Sequence, residues 1–433
     1  MAFYFKKILF LISILCLSPL LGRDTKKSNI KKTNNTKNKK IIDLEKIDRE
    51  KTCITSENFS PKRVVEIRVL LDQQVFKKNN LSQKDLKENK AQQEAHKTWV
   101  IGSRLGLTVY NQDNLVKIAQ GKKITLSTTN GSLYINGTVC PHNRLTIVAE
   151  NKHITYDTNV YHGTFNLCVD NNKLLLINTL ELEDYIYSVL KTESWPGWSL
   201  EVNKVFAIAC RSYVLGLMRE SRVKKRPYHV CNTNSHQTYT GAHSNKLLKE
   251  AVENTLGQFL SYNNKPIIAM FDCCCGGVVP AHIEGVDFGG APYLARNYAC
   301  TYCKSCKLYN WEAEYQLTDI KKLLDDRGHS IKKLTDIKVL KKDKAGCVRQ
   351  VSLKNGRLSH AIPGKRLYSL LKQVKSFCFN ARKRAGKIIF TGRGYGHHMG
   401  LCQWGARQMV ENGSTYQHVL SFYYPDTQLM KLC

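Results

Sequence analysis

The stretch KTESWPGWS (residues 191–199) sets one carboxylate, Glu193, between an apolar run and two tryptophans, Trp195 and Trp198. Burial among such groups strips the hydration that favours a charged carboxyl and raises its pKa. An acid that keeps its proton near neutral pH can donate to the departing oxygen of a glycosidic bond. By composition alone a solvent-facing glutamate near a helix end fits these residues better, since a single residue is a weak signal. The second chemical stretch is GRGYGHHMGLCQWGA (residues 392–406), a Gly-rich loop before a helix. Missing side chains let a ligand approach backbone N–H groups there, and His397 and Gln403 could read hydroxyls. The same two residues would equally serve a tight turn by satisfying buried backbone. Trp404 and Tyr395 either stack on a ligand or pack a core. Arg211 either clamps a ligand carboxylate or pairs with an acid on a neighbouring helix.

Cysteine supplies the third set, sixteen in all. Cys300, Cys303 and Cys306 form a C-x2-C-x2-C run that in a reduced compartment reads as zinc or iron–sulfur ligation. In an oxidising one it reads as disulfides to the Cys273, Cys274 and Cys275 run. Export would remove Cys16 with a leader and leave an odd number, so at least one thiol is then free, metal-bound or intermolecular.

These groups need elements to hold them. Branched residues in VVEIRVLL (64–71) predict a first strand, and short apolar runs cut by turn residues between Trp99 and Thr179 predict a β-rich region. The period then changes. Leu182, Tyr185, Ile186 and Val189 fall at helical spacing, as do Val202, Val205, Phe206, Ala209, Tyr213 and Leu217. Two amphipathic helices result, joined by the Glu193 stretch, with Pro196 and Gly197 breaking the first. Downstream, a hairpin through Asn263 and Asn264, helices at 319–326 and 364–372, and strands around Val339 and over 348–353 are expected. The fold class is mixed α+β, with no internal repeat. The reading divides the chain into 1–22, a leader or anchor; 23–60, a basic disordered tether; 61–178, a β-rich part; and 179–433, a mixed α/β catalytic part with a cysteine-rich insert near 300–306.

Lys6 and Lys7 followed by an apolar run from Ile8 to Leu21 predict a signal peptide or short membrane anchor, so the body is expected outside the cytoplasm. Lipidation at Cys16 fits poorly, because Leu15 stands where a small residue is needed. A net charge of +31 first suggests nucleic acid. Export turns that toward wall polymers, anionic lipid and carboxylate-bearing glycans, and makes nucleic acid an unexpected partner. A basic surface with no specific partner fits the same number.

The segment LELEDYIYSVLKTESWPGWSLEVNKVFAIACRSY resembles the core of the SpoIID (stage II sporulation protein D) family. Tyr185, Val189, Glu193, Trp198, Glu201, Lys204, Ala207, Arg211 and Tyr213 fall in register without a gap. The C-terminal loop is similar to the family's second signature at Gly394, Gly396, His397, Gly400, Gln403, Trp404, Gly405 and Ala406. Between them NSHQTYTG matches at Gln237, Tyr239 and Gly241, and FDCCCGG at Gly276 and Gly277. The resemblance, shared with LytB amidase enhancers, runs from about Val64 to Leu432. It implies a peptidoglycan lytic transglycosylase in wall remodelling or division. Such an enzyme cuts peptide-denuded strands between N-acetylmuramic acid and N-acetylglucosamine, with Glu193 as acid and base. It further implies substrate contacts from Arg211, Gln237, Tyr239, His397, Gln403 and Trp404, no obligatory cofactor, and an amidase as functional partner. Some relatives hold a structural zinc just before the Gln-x-Tyr element, which here makes His229, Cys231 and His236 the ligand candidates. His236 stands where the family has cysteine, the family's Met after the acid is missing, and the Pro is displaced by one place. The alternative implied function is a non-catalytic amidase enhancer, and a third is a wall-binding protein cross-linked through cysteine.

Overall fold

The structure, a computed structural model, describes residues 65–76, 98–113, 115–233, 235–329 and 331–432. The expected leader and tether lie outside these residues, as do Cys16, Cys53 and Cys433.

The β-rich region is a single antiparallel system of β1 (Glu66–Val75), β2 (Trp99–Asn111), β3 (Lys117–Thr129), β4 (Ser132–Ile135), β5 (Thr138–Cys140), β6 (Arg144–Ala149), β7 (His153–Tyr156), β8 (Asn159–His162), β9 (Thr164–Asp170) and β10 (Lys173–Glu181). A short β11 (Val230–Cys231) adds in parallel to β1, and the order β11-β1-β10-β9-β6-β2-β3-β4-β5 carries the β7–β8 hairpin off β2. The turn residues do what their types permit. Asn136 and Gly137 take φ of 51° and 82° between β4 and β5, and Asn171 and Asn172 take 46° and 61° between β9 and β10. Asn tolerates this left-handed region and Gly has no Cβ to oppose it.

From β10 the chain passes directly into α1 (Leu182–Glu193) and, after a six-residue loop, into α2 (Leu200–Val223). The four apolar positions that set the period of α1 are all buried. Helix α2 is buried on nearly every side, because α1, α3 (Lys246–Asn254), the strand Gln258–Tyr262 and two C-terminal helices surround it. A helix surrounded in this way is a core helix even though polar residues mark its ends. One hydrophobic cluster runs from Ile67 in β1 through α1 and α2 to Leu420. The step at 178/179 is therefore a change of secondary structure within one core.

A second cluster, from Trp311 to Phe390, has its own strands and helices. The sheet of Asn310–Gln316, Lys387–Arg393 and Phe379–Arg384 and the sheet of Asp336–Lys342, Val348–Asn355 and Leu358–Pro363 enclose it. Helices α4 (Leu317–Asp325) and α5 (Gly364–Leu370) complete it. The chain then returns to the first core through the strand Leu401–Cys402, α6 (Gln403–Glu411) and α7 (Tyr416–Tyr423). The expected hairpin turns at Asn263 and Asn264, both with positive φ.

Candidate active site

Glu193 is the last residue of α1. The backbone N–H of Ser194 closes the helix on the Leu190 carbonyl, and Gly197, at φ 82°, turns the chain toward α2. Ser199 opens α2 as its N-cap, accepting from the Val202 N–H. The intervening loop is fastened from inside by Asn203, 1 % exposed. Its amide donates to the carbonyls of Trp198 at 3.0 Å and Ser199 at 2.9 Å, while its oxygen accepts from the Ser194 hydroxyl at 2.5 Å.

Only 8 % of Glu193 is exposed. Burial pushes its carboxyl up to about 7, opposed in part by the Thr238 N–H that donates to Oε1 at 2.9 Å. Desolvation exceeds that one stabilising bond, because a buried carboxylate with a single donor regains little of its lost hydration. Thr192 completes the fastening by donating from Oγ1 to the Thr238 carbonyl at 2.5 Å. Among the described residues no hydrogen bond engages Oε2.

A cluster of tryptophans stands at the loop that follows the acid. Trp195 and Trp198 stack with centroids 6.1 Å apart, and Trp404 meets both edge-on at 5.8 Å. Trp198 is buried, whereas Trp195 and Trp404 are part-exposed. Gln403, the first residue of α6, ties this group to the acid. Its amide nitrogen donates to the Glu193 carbonyl at 3.0 Å, and its oxygen accepts from Trp195 Nε1 at 3.3 Å. Glu193, Gln403 and Trp404 are thus brought together across more than two hundred residues of chain.

His397 lies on the neighbouring loop, a quarter exposed at its side chain, with Nδ1 accepting from the Met399 N–H at 3.1 Å. Burial, with His398 beside it, lowers its pKa to about 4, so the ring is neutral. Asp272 lies beneath this loop and is the site residue that the sequence reading missed. It is 1 % exposed, its carboxyl is pushed up to about 7 by burial, and Oδ2 accepts the His398 N–H at 2.6 Å and stands 4.0 Å from His397 Nδ1. A Cβ on Gly396 would run into the Asp272 side chain, which explains a glycine at φ 132° there. The only sequence signal for Asp272 was its place in FDCCCGG.

Three residues expected to contact substrate are scaffold instead. Arg211 is wholly buried and clamped bidentately by Glu183, with Nε–Oε1 2.9 Å and Nη2–Oε2 2.6 Å, and it donates to the Gln258 carbonyl. Gln237 is wholly buried, accepting from the Tyr185 hydroxyl and donating to the Cys210 carbonyl. Tyr239 is 2 % exposed, packs between Tyr161 and Tyr185, and donates to Asn178 Oδ1 at 2.6 Å. Every polar group is satisfied internally, and together Gln237 and Tyr239 hold Thr238 against the acid.

The His229, Cys231 and His236 trio is not a ligand set either. Both ring nitrogens of His229 face Arg68, at 3.1 Å to its N–H and 3.0 Å to its guanidinium, and the Cys231 N–H donates to His236 Nδ1. Among the described residues two other groups gather three or more ligand atoms: Cys275, Cys300, Cys303 and Cys402, and Cys347, Cys378 and His398. The expected disulfides between the two cysteine runs are absent: the thirteen described cysteines are all free, although the runs do meet. A cleft lined by Arg327, Lys365, Arg366 and Tyr368 belongs to the second core and shares no residue with the Glu193 site.

Comparison with known proteins agrees with this architecture. The family model for stage II sporulation protein, SpoIID, matches residues 170–262, from the end of β9 through α1, α2 and α3 to the strand Gln258–Tyr262. A domain of unknown function (DUF8618) matches residues 297–400, which contain the second core. The chain is 30 % identical over 268 residues to an uncharacterized protein of Brachyspira hyodysenteriae, covering 61 % of this chain and 70 % of that one. It is 25 % identical to the amidase enhancer of Bacillus subtilis over 76 % of its own length, but spans only 53 % of that relative. Against stage II sporulation protein D of the same organism it is 25 % identical, covering 58 % of this chain and 75 % of the relative. The sporulation-protein model lies over the helix pair that positions Glu193, and relatives of both names align with the chain: it belongs to the SpoIID/LytB family.

Proposed function

We propose that this protein is a peptidoglycan lytic transglycosylase acting on peptide-denuded glycan strands, with Glu193 as its single acid and base. Family membership supports a cell-wall-related role, and the observation that carries the enzymatic reading is the buried, proton-retaining Glu193 carboxyl, whose backbone is tied through Gln403 to a cluster of three tryptophans. Protonated at Oε2, it donates to the oxygen leaving C1 of N-acetylmuramic acid as the C1–O bond breaks. The resulting carboxylate then takes the proton of the muramoyl C6 hydroxyl while O6 bonds to C1, closing a 1,6-anhydro ring. The proton returns to Glu193, no water is consumed, and no second carboxylate of the hydrolytic kind is needed. Trp195 and Trp404 are part-exposed and can stack on sugar rings, with Arg407 already over the Trp404 ring. Gln403 keeps the loop carrying Trp195 in register with the acid, and neutral His397 is suited to hydrogen bonding with sugar hydroxyls. This role places the protein outside the cytoplasm; among the described residues no helix is long and apolar enough to cross a membrane.

The test is to incubate the purified protein with amidase-treated glycan strands and analyse the products by mass spectrometry. Anhydro-muramoyl ends that vanish in Glu193→Gln support the enzyme, and hydrolysed reducing ends sink the mechanism. A second reading, the non-catalytic amidase enhancer, is favoured by the similarity to that Bacillus relative. It predicts glycan pull-down without cleavage and a faster partner amidase in the same assay.

A further inference from the structure

We propose that Cys275, Cys300, Cys303 and Cys402 form a tetrathiolate site for one zinc ion, placed to brace the loop that positions Glu193. The four Sγ atoms are buried and all lie within 4.8 Å of one another. They come from three separate stretches: the turn after the strand Phe271–Asp272, the C-x2-C segment at the 3-10 turn Tyr302–Ser305, and the residue that caps α6. A tetrahedral zinc with bonds of about 2.3 Å holds its sulfurs about 3.8 Å apart. The Cys275 and Cys303 sulfurs stand 3.7 Å apart, which fits that edge. A four-iron cluster would hold its thiolates further apart, since the irons stand between them. The geometry therefore selects a single ion.

The surroundings are those of an anionic centre. Four thiolates around a divalent ion carry a net charge of −2, which a buried site must offset with donors and positive charge. Donors point at the sulfurs: the Cys275 N–H at 3.2 Å and the Gly405 N–H at 3.4 Å meet Cys402 Sγ, and the Tyr423 hydroxyl lies 3.1 Å from Cys300 Sγ. Cys402 also occupies the N-cap of α6, at the positive end of the helix dipole. Behind Tyr423 lies Arg296, 1 % exposed, its guanidinium 5.7 Å from that ring. Its Nη1 donates to the Tyr298 carbonyl and the guanidinium lies over the Tyr298 and Phe422 rings, while Nε and Nη2 find no acceptor among the described residues, leaving a cation on this side of the cluster. Gly405 belongs to the same design. A Cβ there would sit 2.8 Å from Cys300 Sγ and also strike the Tyr423 hydroxyl, closing the space into which the sulfurs converge.

Cys402 immediately precedes Gln403, whose amide holds the Glu193 carbonyl. An ion fixing Cys402 therefore fixes the start of α6 and makes Gln403 a positioning residue under its control. The proposal stands whether the protein is an enzyme or an enhancer, because it concerns ligation.

The test uses the full chain purified with zinc present and without reductant. Elemental analysis, cobalt substitution and maleimide mapping by mass spectrometry supply readouts independent of activity. The expected result is one bound ion per chain that Cys303→Ser and Cys402→Ser lose and Cys231→Ser keeps. The cobalt form should show the intense visible bands and near-ultraviolet sulfur charge transfer of a tetrahedral tetrathiolate. In the wild type these four cysteines should resist alkylation until a chelator is added, a readout that remains if the serine variants fail to fold. Recovery of any of the four in a disulfide from the native protein would overturn the proposal. So would metal content indifferent to Cys303→Ser, or full labelling of all four before chelation.

Discussion

At Glu193 function and stability oppose one another. The carboxyl is held up to about 7 by burial, so the folded protein binds this proton more tightly than the unfolded chain, whose glutamate titrates near 4.5. Stability is therefore highest below the unfolded pKa and falls as pH rises from there toward the folded value. The gap corresponds to about 3 kcal/mol once both states are ionised. Glu193→Gln removes that cost: its unfolding free energy at pH 8, from denaturant titration, should exceed that of the wild type by an amount on that order, and the difference should vanish near pH 4. The same substitution should lower turnover by about 10²–10⁴-fold, the usual contribution of a positioned acid. In the wild type kcat should decline as pH rises through about 7, since the protonated form starts the reaction. A kcat flat from pH 5 to 8 would remove Glu193 from the chemistry.

Among the elements, the helix pair is where sequence and structure agree most closely. The period of 3.6 is imposed by one-sided burial, so Tyr185, Val189, Val205 and Phe206 announced α1 and α2 directly. Asn263 and Asn264 did the same for their hairpin through φ. Contacts made between elements were not legible. Arg211 has the composition of a ligand clamp, yet it meets Glu183 because α1 and α2 lie side by side. Arg211→Ala would leave Glu183 without its counter-ion and should cost about 3–5 kcal/mol in an unfolding titration. A loss confined to KM at unchanged stability would restore the substrate role. Asp272 was invisible for a related reason: its burial depends on the strand Phe271–Asp272 pairing with Leu401–Cys402, about 130 residues further along. Spacing likewise revealed Cys300 and Cys303 as partners but could not reveal Cys402 as their neighbour. The loop fastener Asn203 carried no signal beyond its place in a helix. Asn203→Ala strands polar groups of Trp198 and Ser199 and should lower the unfolding free energy by about 1–3 kcal/mol while slowing turnover more than it raises KM.

Over the whole molecule the excess of positive charge is the property that composition made plainest, at +31. Attraction to anionic wall polymers at that charge is screened over about 10 Å at 0.1 M salt and about 3 Å at 1 M. Cosedimentation with isolated cell walls should accordingly be strong in dilute buffer and weak in molar salt. Binding indifferent to salt would mean that specific glycan contacts dominate. The two-core organisation was not legible, because the strands enclosing Trp311 and Phe390 are as short as those of the first sheet and no composition shift marks their limits.

The ladder joining Asn310 to Arg393 has a consequence of its own. Where the chain leaves the first core it immediately meets the place where it comes back, for Tyr309 accepts the N–H of Gly394 at 2.8 Å. Some eighty residues leave and return there, about 5 Å apart as paired strands are. They are fastened again to the first core where the Glu284 N–H meets Asp343, the Gly396 N–H meets the Lys375 carbonyl, and Val278 packs on Ala345, Cys347 and Cys378. Excised and replaced by a two-residue turn, the segment would therefore take with it the Lys375 carbonyl that holds the Gly396 N–H and the packing on Val278, loosening the loop that carries His397.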